Sequence, residues 1–132
     1  MYSFFRNTVP TKKMLSLLSQ VNDFFRERLD EMSAIVDSNY HISLLDEDNE
    51  DEVINILRVF SAEVAISEFW EELGLISDIV IGHSMGEYAA AVTAGIFTYA
   101  DGVYLLTQRY KSFREDVHHC TAFSETPDVS VK

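Results

Sequence analysis

The sequence predicts an α/β protein that is rich in helix and poor in strand. Two long amphipathic segments carry the helical part of that expectation. The strand part rests on one short apolar run, Ile79-Val80-Ile81, which enters the turn Gly82-His83-Ser84-Met85-Gly86 and is followed at once by small helix-forming residues. At 132 residues the chain makes at most one domain with a modest core.

From Thr11, the predicted N-cap, apolar residues recur at three- and four-residue steps through Leu17, Val21, Phe25, Leu29, Met32 and Val36. One helix is expected there, fading at Asp37–His41. Residues 42–45 are too short to assign. The acidic run 46–52 reads as solvated surface that favours the N-terminus of the next helix. That helix, about 51–73, stops at Gly74, a residue suited to the C-cap. The strand is expected over 78–82, then helices at 85–95 and 100–115. Residues from His118 onward show no period and read as a loose tail. One strand cannot make a sheet. Residues 2–6 and 42–45 are the segments available as partners, unless the chain is part of something larger.

Several classes are excluded by bulk properties. A net charge of −12 argues strongly against a nucleic-acid binder, which would need a basic face, and disfavours anionic membranes. No apolar run approaches the roughly 20 residues of a membrane span, and the N-terminus lacks a secretory h-region. Cys120 is the single cysteine, so no internal disulfide is expected and a reducing, cytoplasmic setting fits.

The turn itself points to chemistry. A sharp strand-to-helix corner lifts Ser84 out of the sheet, with glycine on either side because a Cβ would clash. Backbone N–H groups at the helix start are then available to a negative charge forming near the serine oxygen. His83 is expected to pack beneath the turn rather than serve as base, since neighbours in sequence point apart. His118, His119 and Cys120 lack the distant ligand pair that a zinc site needs. Trp70 and the other helical aromatics are expected in the core.

Residues 60–113 resemble the acyltransferase domains of fatty-acid and polyketide synthases, the malonyl-CoA:acyl-carrier-protein transacylases. The likeness lies in "FSAEVAISEFWEELGLISDIVIGHSMGEYAAA" and "AGIFTYADGVYLLTQRYKSF". Residues 21–59 match in spacing and amphipathic character. The implied organisation is a divergent N-terminal segment (1–20), a partial acyltransferase domain (21–113) and a divergent C-terminal tail (114–132). The implied fold is part of a three-layer α/β-hydrolase-like subdomain, without the family's ferredoxin-like subdomain.

By that resemblance Ser84 is the nucleophile, which takes an acyl group from CoA before passing it to a carrier-protein thiol. The Met85 backbone N–H is an oxyanion donor. Arg109, 25 positions after Ser84, binds the free carboxylate of malonyl, a bidentate task that lysine cannot copy. His83 is placed with the substrate-binding residues. Malonyl-CoA is then a substrate, no resident cofactor or metal is implied, and the partners are an acyl-carrier protein or a larger synthase. Three departures stand beside the matches. "FFRNTVPTKKM" replaces the glycine-rich loop that supplies the second oxyanion donor. Ile56-Leu57 replace a Gln-Pro pair. The family's histidine lies about a hundred residues past the serine, beyond Lys132. The segment alone is therefore expected to be inactive. A serine hydrolase or thioesterase of the α/β-hydrolase type and a non-catalytic relic or interaction protein are the alternatives. The overall charge opposes acidic carriers, with Lys12, Lys13, Arg26 and Arg28 as a local basic patch.

Overall fold

The computed structural model describes residues 2–6 and 13–124, with side chains described for residues 13–116. Strand β1 (Tyr2–Arg6) is followed by helices α1 (Met14–Ser19), α2 (Asp23–Tyr40) and α3 (Glu52–Glu72), then strand β2 (Ile79–His83) and helices α4 (Gly86–Thr93) and α5 (Tyr99–Ser124). Residues 2–6 supply the partner strand. β1 pairs parallel with β2, Tyr2 opposite Ile79 and Arg6 opposite His83. Parallel pairing needs a long crossover, and α1 to α3 provide it.

The helix expected from Thr11 to Val36 is two helices, and Thr11 itself lies outside the described residues. Asn22 breaks the run: it is extended (φ −160°, ψ 174°) and its side chain accepts the Phe25 N–H at 3.0 Å. A fresh N-cap competes with continuing the helix. The break takes Leu17 and Val21 out of register with the core, and both are exposed. At the other end α2 runs on through Tyr40, where His41 closes it in the left-handed conformation, donating its N–H to Asp37 O at 2.9 Å. Residues 42–45 join no sheet.

α3 is the central helix and touches α1, α2, α4 and α5. Leu57, Phe60 and Val64 meet Leu29, Met32 and Val36 of α2 and Val103 and Leu106 of α5 in one core. Phe69 packs its ring against Phe25 and Phe24, at 4.8 and 5.5 Å between centroids. Trp70, the next residue, is turned about 100° around the helix and is 46% exposed rather than core. α3 ends as expected at Gly74, whose φ of +82° allows Leu75 N–H to reach back to Trp70 O at 2.9 Å.

Two polar clusters lock the helices together. Arg28 of α2 forks onto Glu68 of α3 (2.6 and 2.9 Å) and lies over the Tyr99 ring of α5. Tyr99 OH meets Ser61 Oγ at 2.8 Å, and the ring stacks on Phe60. Arg58, buried within α3, donates to the carbonyls of Leu44 (2.9 Å), Asn49 (2.8 Å) and Asp46, so the acidic loop folds over a built-in cation. Arg58 was legible only as one charge inside the apolar run 53–62. Of the expected basic patch, Arg26 pairs with Asp23, and Arg28 with Glu68 and Glu31, whereas Lys13 is exposed and Lys12 lies outside the described residues. Residues 118–124 continue α5 in place of the expected loose tail; residues 125–132 lie outside the described residues.

Candidate active site

β2 delivers the chain to a corner. Ser84 follows the strand directly with φ +54°, and α4 begins two residues later at Gly86. A left-handed φ at a non-glycine residue costs roughly 1–2 kcal/mol, so the surrounding packing must impose it. Gly82 shows how. A Cβ there would lie 2.4 Å from Glu87 N, Glu87 Cα and Gly86 O, so the first turn of α4 rests directly on the strand backbone. The corner is held from below, and Ser84 is exposed at its tip.

α4 fits closely because its inward residues are small. Ala89 is fully buried and Ala90 nearly so. Gly86 is buried as well, and Met85 packs against the core from the corner. Glu87 N–H and Tyr88 N–H turn back to Ser84 O and Met85 O, both at 3.2 Å. The amides of Met85 and Gly86 precede the first helical hydrogen bond and so have no acceptor within α4. Among the described residues no hydrogen bond reaches the Ser84 hydroxyl.

His83 does not pack beneath the turn. Along β2 the residues 79, 81 and 83 face outward, and His83 is exposed with them. Strand alternation fixes this: Val80 and Gly82 take the α4 side. Arg109 lies on α5, exposed, with its guanidinium carbon 5.7 Å from the centroid of the Tyr88 ring and Nη1 3.5 Å from Tyr88 OH. Tyr88 stands one helical turn after Ser84. The fold thus joins Arg109 to α4 through an aromatic residue for which the sequence suggested no role, although the four-residue spacing from Ser84 was there to be read. Groups of His, Cys, Asp and Glu able to hold a metal are absent among the described residues. No helix among them is long and apolar enough to cross a membrane. The side chains of His118, His119 and Cys120 lie outside the described residues.

The family model for the acyl transferase domain matches residues 12–119. Among curated proteins, the non-reducing polyketide synthase PKS8-1 of Pseudocercospora fijiensis is 40% identical over 63 residues, 48% of this chain and 4% of its own. Non-reducing polyketide synthase nscA of Arthroderma gypseum is 35% identical over 82 residues, 62% of this chain and 4% of its own. Among solved structures, the acyltransferase domain of the polyketide synthase PpsC of Mycobacterium tuberculosis superposes with a TM-score of 0.70 and 25% identity. That match covers 82% of this chain and 35% of the PpsC domain. The acyltransferase domain of SpnD, in complex with 2-(pent-4-yn-1-yl)malonyl, gives 0.74 at 24% identity over 83% of this chain and 28% of its own. The chain therefore spans about 4% of the synthases and about a third of the solved domains. With more than half of its length matched and the serine corner in place, the chain belongs to the acyl transferase domain family, of the polyketide synthase type.

Proposed function

We propose that this chain is the nucleophile-bearing segment of an acyltransferase that moves a malonyl-type group from CoA to an acyl-carrier protein. The observation that carries the reading is Ser84 itself, held at φ +54° on an exposed strand-to-helix corner. In the first step Ser84 Oγ attacks the thioester carbonyl, the C–S bond breaks, and CoA leaves with the serine proton as its thiol. In the second, the carrier's thiol attacks the acyl-serine ester and the hydroxyl is regenerated. The Met85 N–H, uncommitted at the start of α4, is assigned to the oxyanion. Arg109 is assigned to the malonyl carboxylate, with Tyr88 beneath it. His83, exposed next to Ser84, is assigned to the substrate side. The SpnD acyltransferase domain, solved with a substituted malonyl group, lends the acyl class support.

A serine hydroxyl with no base is a weak nucleophile at neutral pH, and base catalysis contributes about 10²–10⁴-fold. The 132 residues alone are therefore expected to acylate slowly and not to sustain transfer to a carrier. The test is intact-mass analysis of the purified chain after long incubation with malonyl-CoA. The expected result is one malonyl ester, absent in Ser84→Ala and reduced in Arg109→Ala. Loss of the carboxylate contact should cost on the order of 2–4 kcal/mol with malonyl and little with acetyl. No malonyl adduct, in a chain whose Ser84 does react with a fluorophosphonate, would refute acyl transfer and favour a hydrolase.

A further inference from the structure

The arginines whose side chains are described divide by what holds them. Arg26 and Arg28 pair with carboxylates, and Arg58 is capped by loop carbonyls. Arg114 lies over Tyr110, four residues back on its own helix. Arg109 differs from all of these. Among the described residues it meets no carboxylate, and its guanidinium reaches across to α4, 5.7 Å from the centroid of the Tyr88 ring. Nη1 stands 3.5 Å from Tyr88 OH, longer than an ordinary hydrogen bond, so the ring supplies the larger part of the contact.

The kind of partner matters for what the guanidinium can still do. A protein carboxylate would take its N–H donors bidentately and compete with an incoming acyl carboxylate for them. An aromatic ring attracts the cation through its π face and offers no charged acceptor, so the donors stay available. Tyr88 is itself fixed. It sits one helical turn past Ser84, half-buried against the core, with its N–H bonded to Met85 O at 3.2 Å. α5 is anchored in turn by buried Val103, Leu106 and Thr107, and Arg109 stands exposed beyond them. A long exposed arginine otherwise samples many rotamers, a freedom that is lost when it grips a ligand. Contact with the ring removes part of that loss before substrate arrives. We propose that Tyr88 is a positioning residue for acyl specificity: by holding Arg109 with its donors free, it favours an acyl group that carries a carboxylate over a neutral one. Tyr88 acts through Arg109 and takes no part in bond making. The inference rests on the acyl-transfer reading of Ser84 and Arg109, and adds the residue that pre-orders the cation.

The test compares rates of Ser84 ester formation from malonyl-CoA and from acetyl-CoA, by intact mass, in the 132-residue chain. Tyr88→Leu keeps an apolar side chain against the core and loses the ring. It should lower the malonyl-to-acetyl rate ratio about three- to tenfold, the range of a partly exposed cation–π contact. The loss should appear as a higher half-saturating concentration of malonyl-CoA, with the acetyl rate unchanged. Tyr88→Phe keeps the ring and should stay within about twofold of the parent. In an Arg109→Ala background, where the preference for malonyl is already gone, Tyr88→Leu should change the ratio no further. A merely structural role gives a different result: in Tyr88→Leu both rates, and labelling of Ser84 by a fluorophosphonate, fall together, and that outcome overturns the proposal. So does a ratio that Tyr88→Leu leaves unchanged in a parent that prefers malonyl, or one that Tyr88→Phe lowers as much as Tyr88→Leu. A parent that forms no malonyl ester, or esters from both donors alike, while Ser84 still reacts with the fluorophosphonate, instead refutes the acyl-transfer reading and the specificity role with it. The contact is then decided separately by NMR of the Arg109 Nε–H group. A resonance displaced by the ring in the parent and in Tyr88→Phe, and returned in Tyr88→Leu, keeps Tyr88 as the holder of the guanidinium; one that does not move in Tyr88→Leu removes it.

Discussion

Adding a single methyl group at Gly82 should undo the corner that presents Ser84. A Cβ there would meet three backbone atoms of Gly86 and Glu87 at 2.4 Å, whereas ordinary contact begins near 3.4 Å. The first turn of α4 would have to retreat by about 1 Å, since backbone atoms cannot rotate aside as a side chain can. Retreat is opposed because α4 is packed against α3 and both strands, with Ala89 fully buried. Overpacking of this kind costs about 1–3 kcal/mol, and the upper end is expected where backbone must move. Gly74→Ala is the control. Its φ is +82° but a Cβ there meets nothing within 4 Å, so it bears backbone strain alone, roughly 1–2 kcal/mol. Urea unfolding followed by circular dichroism should therefore rank Gly82→Ala as more destabilising than Gly74→Ala. A displacement near 1 Å at the nucleophile should also slow Ser84 acylation on the order of 10²-fold. If Gly82→Ala unfolds within about 0.5 kcal/mol of the parent, or is milder than Gly74→Ala, α4 does not rest on the strand as described.

Two further outcomes test the helix packing. Arg58→Ala removes the donor shared by the Leu44, Asp46 and Asn49 carbonyls and should cost on the order of 2–4 kcal/mol in urea unfolding. Arg58→Lys should recover only part of that, because one ammonium cannot reach all three; full recovery would refute the fork. Tyr99 is buried, and burial pushes its phenol well above the ordinary value near 10. The folded chain then keeps a proton that the unfolded chain releases. Its stability contribution is complete below about pH 10 and falls above it by about 1.4 kcal/mol per pH unit. Tyr99→Phe should lack that alkaline loss, so unfolding midpoints of the two proteins should converge as pH rises from 9 to 11. Parallel curves would show that the phenol is not buried as described.

Much of the fold was legible because it depends on neighbours in sequence. The period of α3, its stop at Gly74 and the strand running into Gly-His-Ser-Met-Gly are local events, set by side-chain spacing and by which residues tolerate left-handed or crowded backbone. The observed β2 and α4 lie within one residue of the expected strand bounds and helix start. The split of the first helix was also local, yet Asn22 lost to the stronger apolar rhythm on either side. A cap competes with helix continuation by about 1 kcal/mol, too little to stand out against a long run of periodic apolar residues.

The site divides in the same way. The sequence by itself determined that a lone serine would sit between glycines at a strand-to-helix corner, and which family that corner resembles. Only the tertiary structure decided that Tyr2–Arg6 lies beside Ile79–His83, that Arg109 rests over Tyr88, and that His83 faces outward. It also placed Arg58 under the acidic loop and left Ile79 and Ile81 bare. These are contacts between segments far apart in the chain. Their free energy depends on which surfaces remain after the helices have packed, and no local spacing records that.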